Sequence, residues 1–367
     1  MPAAPTLPHP SGPPVRLGPP GERSGLTSVS VPFGAEAWLV TRREDISALQ
    51  DDHRFTSAAE SRPPLLPGRA VPPARERGDG DRARLRRVLA DCQVPAGPDL
   101  AALRPRLLGI ADTLLDGVLD AGGPADLVER FTAPLSAEAT CELVGVPYAD
   151  RAVFLDWFTA FAVGGDTGRS RELVTAYTDR LVAERRARPR ADLVTALVRA
   201  EPELTRGELL EAVGGVLLAG DGVATQLANC AYVLLAHPEH ARLLREEPEL
   251  LPLAAQELLR RVPFPPGAAC ARYATEDVEL GGALIRAGDA VVSASAPGAD
   301  ALDFRREAGP APTRHHCLGP GVVAELLEVA LTALLHRVPT VRLAAEEVLD
   351  WRRDLLVRRV VRLPVTW

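Results

Sequence analysis

Amphipathic helical periodicity is the feature that most restricts the fold of this 367-residue chain. From residue 81 to residue 261, apolar residues recur at intervals of three and four, which predicts one helix after another. Thr205 precedes one of these helices and Glu208 follows three residues later, which is a capping-box pattern. Ser136, before the sequence AEAT, is interpreted as another N-cap. The predicted helices span residues 81–92, 101–122, 125–144, 150–163, 169–188, 190–200, 206–237, 238–246, 249–261 and 319–337.

Short β-prone stretches accompany the helices. The sequence GAEAWLVT at 34–41 predicts a strand, and alternating apolar and polar residues at 271–295 predict a β-rich region. A last strand or hairpin is expected at 355–367, so the fold class is mainly α with small β-sheets. Residues 1–25, rich in proline and glycine, are expected to form a flexible arm. Residues 26–367 are expected to form a single domain, because no linker divides the middle of the chain.

Composition excludes several classes of protein. The formal net charge of −7 argues against a general nucleic-acid-binding protein. No apolar run approaches the roughly 20 residues that span a bilayer, and the N-terminus lacks the apolar core of a secretion signal. The five cysteines are scattered, odd in number and without a CxxC pair. A cytoplasmic protein with reduced thiols is therefore expected, with no membrane and no nucleic-acid partner.

The sequence RHHCLGPG at 314–321 is the most informative segment. Cys317 precedes a predicted helix, whose N-terminal dipole and free N–H groups favour a thiolate. Glycines after the cysteine allow the backbone to pass close to a flat or bulky group. A buried structural cysteine is the plain alternative for this segment alone. A zinc site using His315, His316 and Cys317 is disfavoured, because zinc needs four convergent ligands and no second pair is evident.

Three further patterns are weak individually. Glu257 and Arg260 lie three positions apart, so they share a helix face and can pair, although an ExxR pattern is usually a surface salt bridge. Arg272 opens the second β-rich stretch, and Arg86 lies in the basic sequence DRARLRRVLA. Each has an ordinary structural explanation. Their order along the chain, followed by Cys317, is more specific than any one of them.

Together these motifs resemble the cytochrome P450 family in its soluble bacterial form. DRARLRRVLA is similar to the C-helix segment, QELLRRV to the K-helix ExxR, and RYATEDVELGG to the strand after it. LLAGDGVATQLANCAYVLLAHPEHARLL is similar to the long I helix and the helix that follows, and HHCLGPGVVAELLEVALTALL to the cysteine loop and L helix. The resemblance runs from about residue 37 to the C-terminus. It implies the cytochrome P450 fold and a haem b (iron protoporphyrin IX) cofactor.

The resemblance also assigns the cofactor-binding residues. It implies that Cys317 is the metal ligand, a thiolate that donates electron density to the haem iron and favours O–O cleavage. It places Arg86, Arg272 and His315 at the positions that bind the haem propionates. These side chains would neutralise charge that is otherwise costly to bury.

A structural ion pair is implied as well. In the family, the ExxR residues are buried partners beneath the cysteine loop, so Glu257 and Arg260 are expected to be fold residues rather than catalysts. Arg305 or Arg306 is expected to be the third member of this cluster.

The chain departs from the family in the I helix. Gly222 stands where the family has an acid, and Val223 where it has a threonine. Those side chains organise water and deliver protons during dioxygen activation, which glycine and valine cannot do. Asp221 and Thr225 are polar, but at about 100° per residue both are rotated off the expected face. The candidate catalytic positions are therefore Asp221, Gly222, Val223 and Thr225, with the acid and the alcohol lost.

The resemblance implies a P450-type monooxygenase or oxidase that hydroxylates, couples or cyclises a small or carrier-bound natural product. It further implies that ferredoxin and ferredoxin reductase supply electrons. The altered I helix leaves two alternatives open. One is a P450-derived, non-catalytic partner that activates a glycosyltransferase, although such helpers typically lack the cysteine that Cys317 retains here. The other is a haem-thiolate enzyme that uses peroxide or does redox-neutral chemistry.

Overall fold

A computed structural model describes most of the helical part of the chain and its sheets. The described residues are 26–30, 36–40, 42, 45–46, 48–49, 52–56, 84, 87–88, 92, 100–154, 167–200, 204–262, 272–293, 302–305, 320–344, 350–352 and 359–367. Within them the chain is mostly helical with small sheets, which confirms the predicted fold class.

The helices lie close to their predicted positions, and one of them matches its predicted bounds at both ends. They are α1 (Leu100–Ala121), α2 (Ala133–Val144), α3 (Thr167–Ala187), α4 (Leu193–Arg199), α5 (Arg206–Leu235), α6 (Pro238–Glu246), α7 (Leu251–Arg261) and α8 (Pro320–Arg337). The segment predicted as one helix at 125–144 begins differently, with a short strand and the π-helical turn Val128–Thr132 before α2.

One predicted cap is confirmed and the other is wrong. The Thr205 hydroxyl accepts a hydrogen bond from the Glu208 amide, and the Glu208 carboxylate accepts one from the Thr205 amide, which completes the capping box of α5. Ser136 is not an N-cap, because the helix starts earlier, directly from the π-helical turn. Its hydroxyl instead donates to the carbonyl of Gly220 in α5, at 2.8 Å.

The sheets are assembled from short strands far apart in sequence. The main sheet has the order β1-β2-β8-β5-β3, in which β2 and β8 are parallel and the other pairs antiparallel. Its strands are β1 (Leu26–Ser30), β2 (Glu36–Val40), β3 (Phe55–Thr56), β5 (Arg272–Ala274) and β8 (Ala290–Ser293). β6 (Val278–Leu280) and β7 (Ala283–Ile285) form a hairpin.

The remaining strands border the helices. The order β4-β12-β9 joins β4 (Ala125–Asp126), β12 (Pro364–Thr366) and β9 (Arg342–Leu343). β10 (Asp350–Arg352) pairs with β11 (Arg359–Arg362). The Val360 amide donates to the Asn229 side chain at 3.1 Å, so this ribbon is fixed to α5.

The core lies where the long helices meet. α2 packs along α5, and α8 packs against α1 and α7. Apolar side chains fill these contacts, and Arg104 on α1 adds polar bonds to Glu325 (2.6 Å) and Glu328 (2.5 Å) on α8. None of the described helices is both long and apolar enough to cross a membrane.

Candidate active site

Solvent exposure changes at one turn in the middle of α5. Gly222 and Val223 keep partial exposure, whereas every residue from 224 to 235 is buried. Thr225 is among the buried residues, with 3% of its surface exposed. Asp221 lies in the same turn, but its side chain is outside the described part of the chain. Among the described side chains of this turn, the accessible ones are therefore those of a glycine and a valine, neither of which can transfer a proton.

The Arg272 side chain lies at an edge of the main sheet. It is half-buried, and its Nη1 atom donates to the carbonyl of Phe55 at 2.7 Å, across the β3–β5 pair. A guanidinium group has five N–H donors in a fixed plane, which suits it to bind a carboxylate as well as a carbonyl.

Glu257 is the centre of a buried cluster on α7. Both guanidinium groups of the following turn bind its carboxylate, Arg260 at 2.7 Å and Arg261 at 2.8 Å. Because residues three and four positions later lie on the same helix face, both arginines reach Glu257 from within α7. Glu257 is 1% exposed, so its charge is desolvated and compensated locally.

Of the two arginines expected as the third member of this cluster, the structure describes only Arg305. Arg305 does not reach Glu257; it forms an ion pair with Glu247, beyond the end of α6. Arg306 lies outside the described residues. The third member in the structure is Arg261, which could have been identified from its i,i+4 spacing to Glu257.

Two of the five cysteines are disfavoured as thiolate ligands. Cys92, Cys141 and Cys230 are all buried, reduced thiols. Burial raises the pKa of the Cys141 thiol to about 12, and it raises the pKa of Cys230 as well, so both are protonated at neutral pH. Burial in apolar surroundings makes such thiols inert.

The remaining predicted ligands flank the described segments. Cys317, His315 and Arg86 lie outside the described residues. α8 begins at Pro320, three residues after Cys317, close to the start predicted at 319. Among the described residues there is no cluster of three or more His, Cys, Asp or Glu side chains that could bind a metal ion.

Two buried polar contacts in the structure differ from what the sequence predicts. The Ser136 hydroxyl bonds to α5 rather than capping a helix, and the Gln226 amide donates to the carbonyl of Val262 at 2.9 Å. The available signal was the presence of polar residues within otherwise apolar helices, because a buried polar group requires a hydrogen-bond partner. Which partner it finds depends on tertiary packing.

Comparison with known proteins identifies the family. No protein-family model matches the chain. It is 39% identical to nocardicin C N-oxygenase of Nocardia uniformis subsp. tsuyamanensis, over 98% of this chain and 95% of the relative. It is 34% identical to cytochrome P450 105C1 of a Streptomyces species, over 97% and 96%. The crystal structure of the LnmA cytochrome P450 hydroxylase of Streptomyces atroolivaceus superposes with a TM-score of 0.80 and 35% identity, covering 94% of each chain.

The fold and the site thus define a haem-dependent oxygenase, and the chain belongs to the cytochrome P450 family. It is a P450-type monooxygenase, and membership of this family implies haem as the cofactor. Enzymes of this type act on small molecules and usually need redox partners.

The described residues fit a haem group. At Gly222 the partly exposed backbone carries no side chain, which allows the face of a macrocycle to approach closely. Arg272 provides a half-buried cation at the sheet edge, as a propionate requires. The thiols of Cys141 and Cys230 are too deeply buried to compete for the iron.

Proposed function

We propose that this protein carries out oxidative tailoring of a natural product in antibiotic biosynthesis, with Cys317 as the axial ligand of haem. The observation that carries the assignment of Cys317 is the start of α8 at Pro320, because a helix N-terminus directly after a cysteine stabilises its thiolate. Haem, when bound, supplies the redox chemistry of dioxygen activation.

Arg86, Arg272 and His315 are proposed to bind the haem propionates. Arg272 supports this assignment, since its guanidinium is fixed by the Phe55 carbonyl at the edge of the main sheet. Glu257 and Arg260, together with Arg261, are proposed to be structural residues. Their charges bind one another within α7.

Proton delivery must differ from the family pattern. Gly222 and Val223 carry no exchangeable side-chain proton, so a hydroxyl of the substrate or ordered water is proposed to replace the missing alcohol. Oxidative coupling or cyclisation depends less on such a relay than hydroxylation does. Turnover with peroxide or redox-neutral chemistry would also depend less on the acid and alcohol missing at these positions, which Asp221 and Thr225 do not replace because they are rotated off the expected face.

Several further properties are proposed with the activity. The substrate is a small or carrier-bound natural product, electrons come from a ferredoxin and its reductase, and the enzyme is cytoplasmic. Residues 26–367 are proposed to form one haem domain preceded by a short arm. A non-catalytic partner of a glycosyltransferase is not favoured, because the relatives are named as an oxygenase and a hydroxylase.

The reduced, carbon-monoxide-bound absorption spectrum of purified protein tests the proposal. A thiolate-type Soret band is expected for the wild type and should be lost in Cys317→Ser. Cys141→Ala is the matched control, because that thiol is buried and protonated, and it should keep the band. A colourless wild-type protein, or a Cys317→Ser variant with an unchanged thiolate-type band, would contradict the assignment.

A further inference from the structure

The hydroxyl of Ser136 joins α2 to the accessible turn of α5. Ser136 is the fourth residue of α2, its side chain is fully buried, and its Oγ atom donates to the Gly220 carbonyl at 2.8 Å. Gly220 lies two residues before Gly222 and three before Val223, within a single helical turn. The bond therefore ends at the turn where the family's acid and alcohol are replaced.

Three other described helix hydroxyls make a different bond. Thr140, also buried in α2, donates to the carbonyl of Ser136, four residues earlier in its own helix, at 2.8 Å. Thr113 and Thr332 bond in the same way within α1 and α8. This is the ordinary arrangement for a hydroxyl inside a helix. Ser136 instead bonds to a different helix, 84 positions along the chain.

The Gly220 carbonyl is well suited to accept this second bond. In an α-helix it also accepts the N–H of Ala224, and its two lone pairs accommodate both donors. Glycine at position 220 has no Cβ, so the hydroxyl can reach the backbone. Two glycines within three residues make this turn intrinsically weak as helix, and the bond from α2 restrains it.

We propose that Ser136 is a positioning residue for the oxidation reaction. It holds the turn from Gly220 to Val223 at a fixed distance from the haem and the substrate. Gly220, Gly222 and Val223 have no hydrogen-bonding side chain, so at these three positions the turn can be restrained only through its backbone. This inference rests on the proposed function, since it requires haem beside this turn.

Two variants in α2 distinguish a positioning role of Ser136 from a contribution to folding stability alone. Ser136→Ala removes the bond to α5, and Thr140→Val removes a buried hydroxyl whose bond stays within α2. Hydrogen exchange of the full-length protein is measured on peptides that cover residues 217–230. The second measurement is the coupling, expressed as product formed per NAD(P)H consumed.

Ser136→Ala is expected to speed exchange in α5 and to lower coupling by about fivefold, the factor that corresponds to about 1 kcal/mol for one hydrogen bond. Thr140→Val should leave both unchanged. If Ser136→Ala does not fold, Ser136→Cys replaces it, because a thiol is a weak donor of similar size.

Unchanged exchange and coupling in the Ser136 variant would overturn the proposal. A lower unfolding temperature with unchanged coupling would also overturn it, since the role would then be structural only. A wild-type protein without a thiolate-type spectrum would refute the proposed function instead, and the exchange comparison would still report on the bond between Ser136 and Gly220.

Discussion

The side-chain amide of Gln226 binds the main-chain carbonyl of Val262, with 2.9 Å between Nε2 and the oxygen. Gln226 follows Val223 by three residues on α5, and Val262 directly follows α7, so this bond connects the active-site helix to the helix that carries Glu257. Both residues are fully buried. Among the described residues, no group donates to the Gln226 Oε1 atom. At this contact between α5 and the end of α7, one buried polar atom therefore lacks a hydrogen-bond partner among the described residues.

Two substitutions of Gln226 with similar volume should distinguish the cost of a buried charge from the cost of losing one hydrogen bond. Gln226→Met loses the bond to Val262 but also removes the unpaired oxygen, so the two effects offset and the loss of stability should stay below about 1.5 kcal/mol. Gln226→Glu places a carboxylate against the Val262 carbonyl, which should cost about 3 kcal/mol or more. Thermal unfolding of the two variants checks this order, and a Glu variant as stable as the Met variant would contradict it.

Removing Glu257 should be far more damaging than removing an exposed partner. Glu257→Ala leaves the guanidinium groups of Arg260 and Arg261 without their carboxylate in a buried site, which should cost about 3–5 kcal/mol. Glu246→Ala breaks an exposed pair with Arg242 at 3.9 Å, and should cost less than about 0.5 kcal/mol. Chemical denaturation and haem content measure both. Equal losses in the two variants would show that Glu257 is not the centre of a buried cluster.

Gly145 and Gly117 should respond to alanine in opposite directions. Gly145 has a φ of +85°, and an added Cβ would clash with the Asp192 carboxylate, which caps α4 and pairs with the buried Arg185. Gly145→Ala should destabilise the protein by about 2 kcal/mol or more. Gly117 lies in α1 with no atom near its added Cβ. Gly117→Ala should stabilise by about 0.5–1 kcal/mol in the same thermal unfolding assay.

Much of the fold could be predicted because local signals agree with it. The Thr205–Glu208 capping box sets the start of α5 through contacts within four residues, so the sequence pattern is sufficient. The amphipathic pattern likewise predicts both ends of α6, Pro238 and Glu246, as the structure has them. The order of the motifs along the chain then indicates the family, and the family resemblance supplies the overall fold, which no local pattern contains.

The errors concern contacts between distant segments. Ser136 has the composition signal of a cap, but its hydroxyl finds a partner only because α2 packs along α5. The family resemblance offers Arg305 or Arg306 as a partner of Glu257, and in the structure Arg305 binds Glu247 instead. Such choices depend on tertiary distances among competing charges, and the sequence does not contain those distances.

The stability contribution of Glu208 should depend on pH. Hydrogen bonding from the Thr205 amide lowers the pKa of Glu208 below its ordinary value of 4.5, and the Thr205 hydroxyl and Arg84 act in the same direction. An acid whose pKa is lowered by folding stabilises the protein fully above its unfolded pKa, and this contribution is lost as pH falls through the folded pKa.

Glu208→Gln should therefore be less stable than the wild type at neutral pH, and the difference in unfolding temperature should shrink below pH 4.5. Glu279→Gln, at an exposed position in the β6–β7 hairpin, controls for the change in net charge. A difference between wild type and Glu208→Gln that is constant with pH would mean that the carboxylate charge does not contribute to the cap.

Restoring an alcohol at position 223 tests whether α5 takes part in the chemistry. Val223 is partly exposed at the accessible turn, so Val223→Thr places a hydroxyl there with almost no change in volume. If the enzyme activates dioxygen, this hydroxyl should organise water and change the rate of product formation or the coupling, by up to about a hundredfold, the contribution of a typical proton-transfer group. Oxygen consumption, peroxide release and product are measured together.

Val223→Ala is the control: it lacks the hydroxyl, so it distinguishes an effect of the hydroxyl from an effect of a changed pocket shape. Oxygen consumption that is equal in all three proteins would count against a role for α5 in proton delivery at this position.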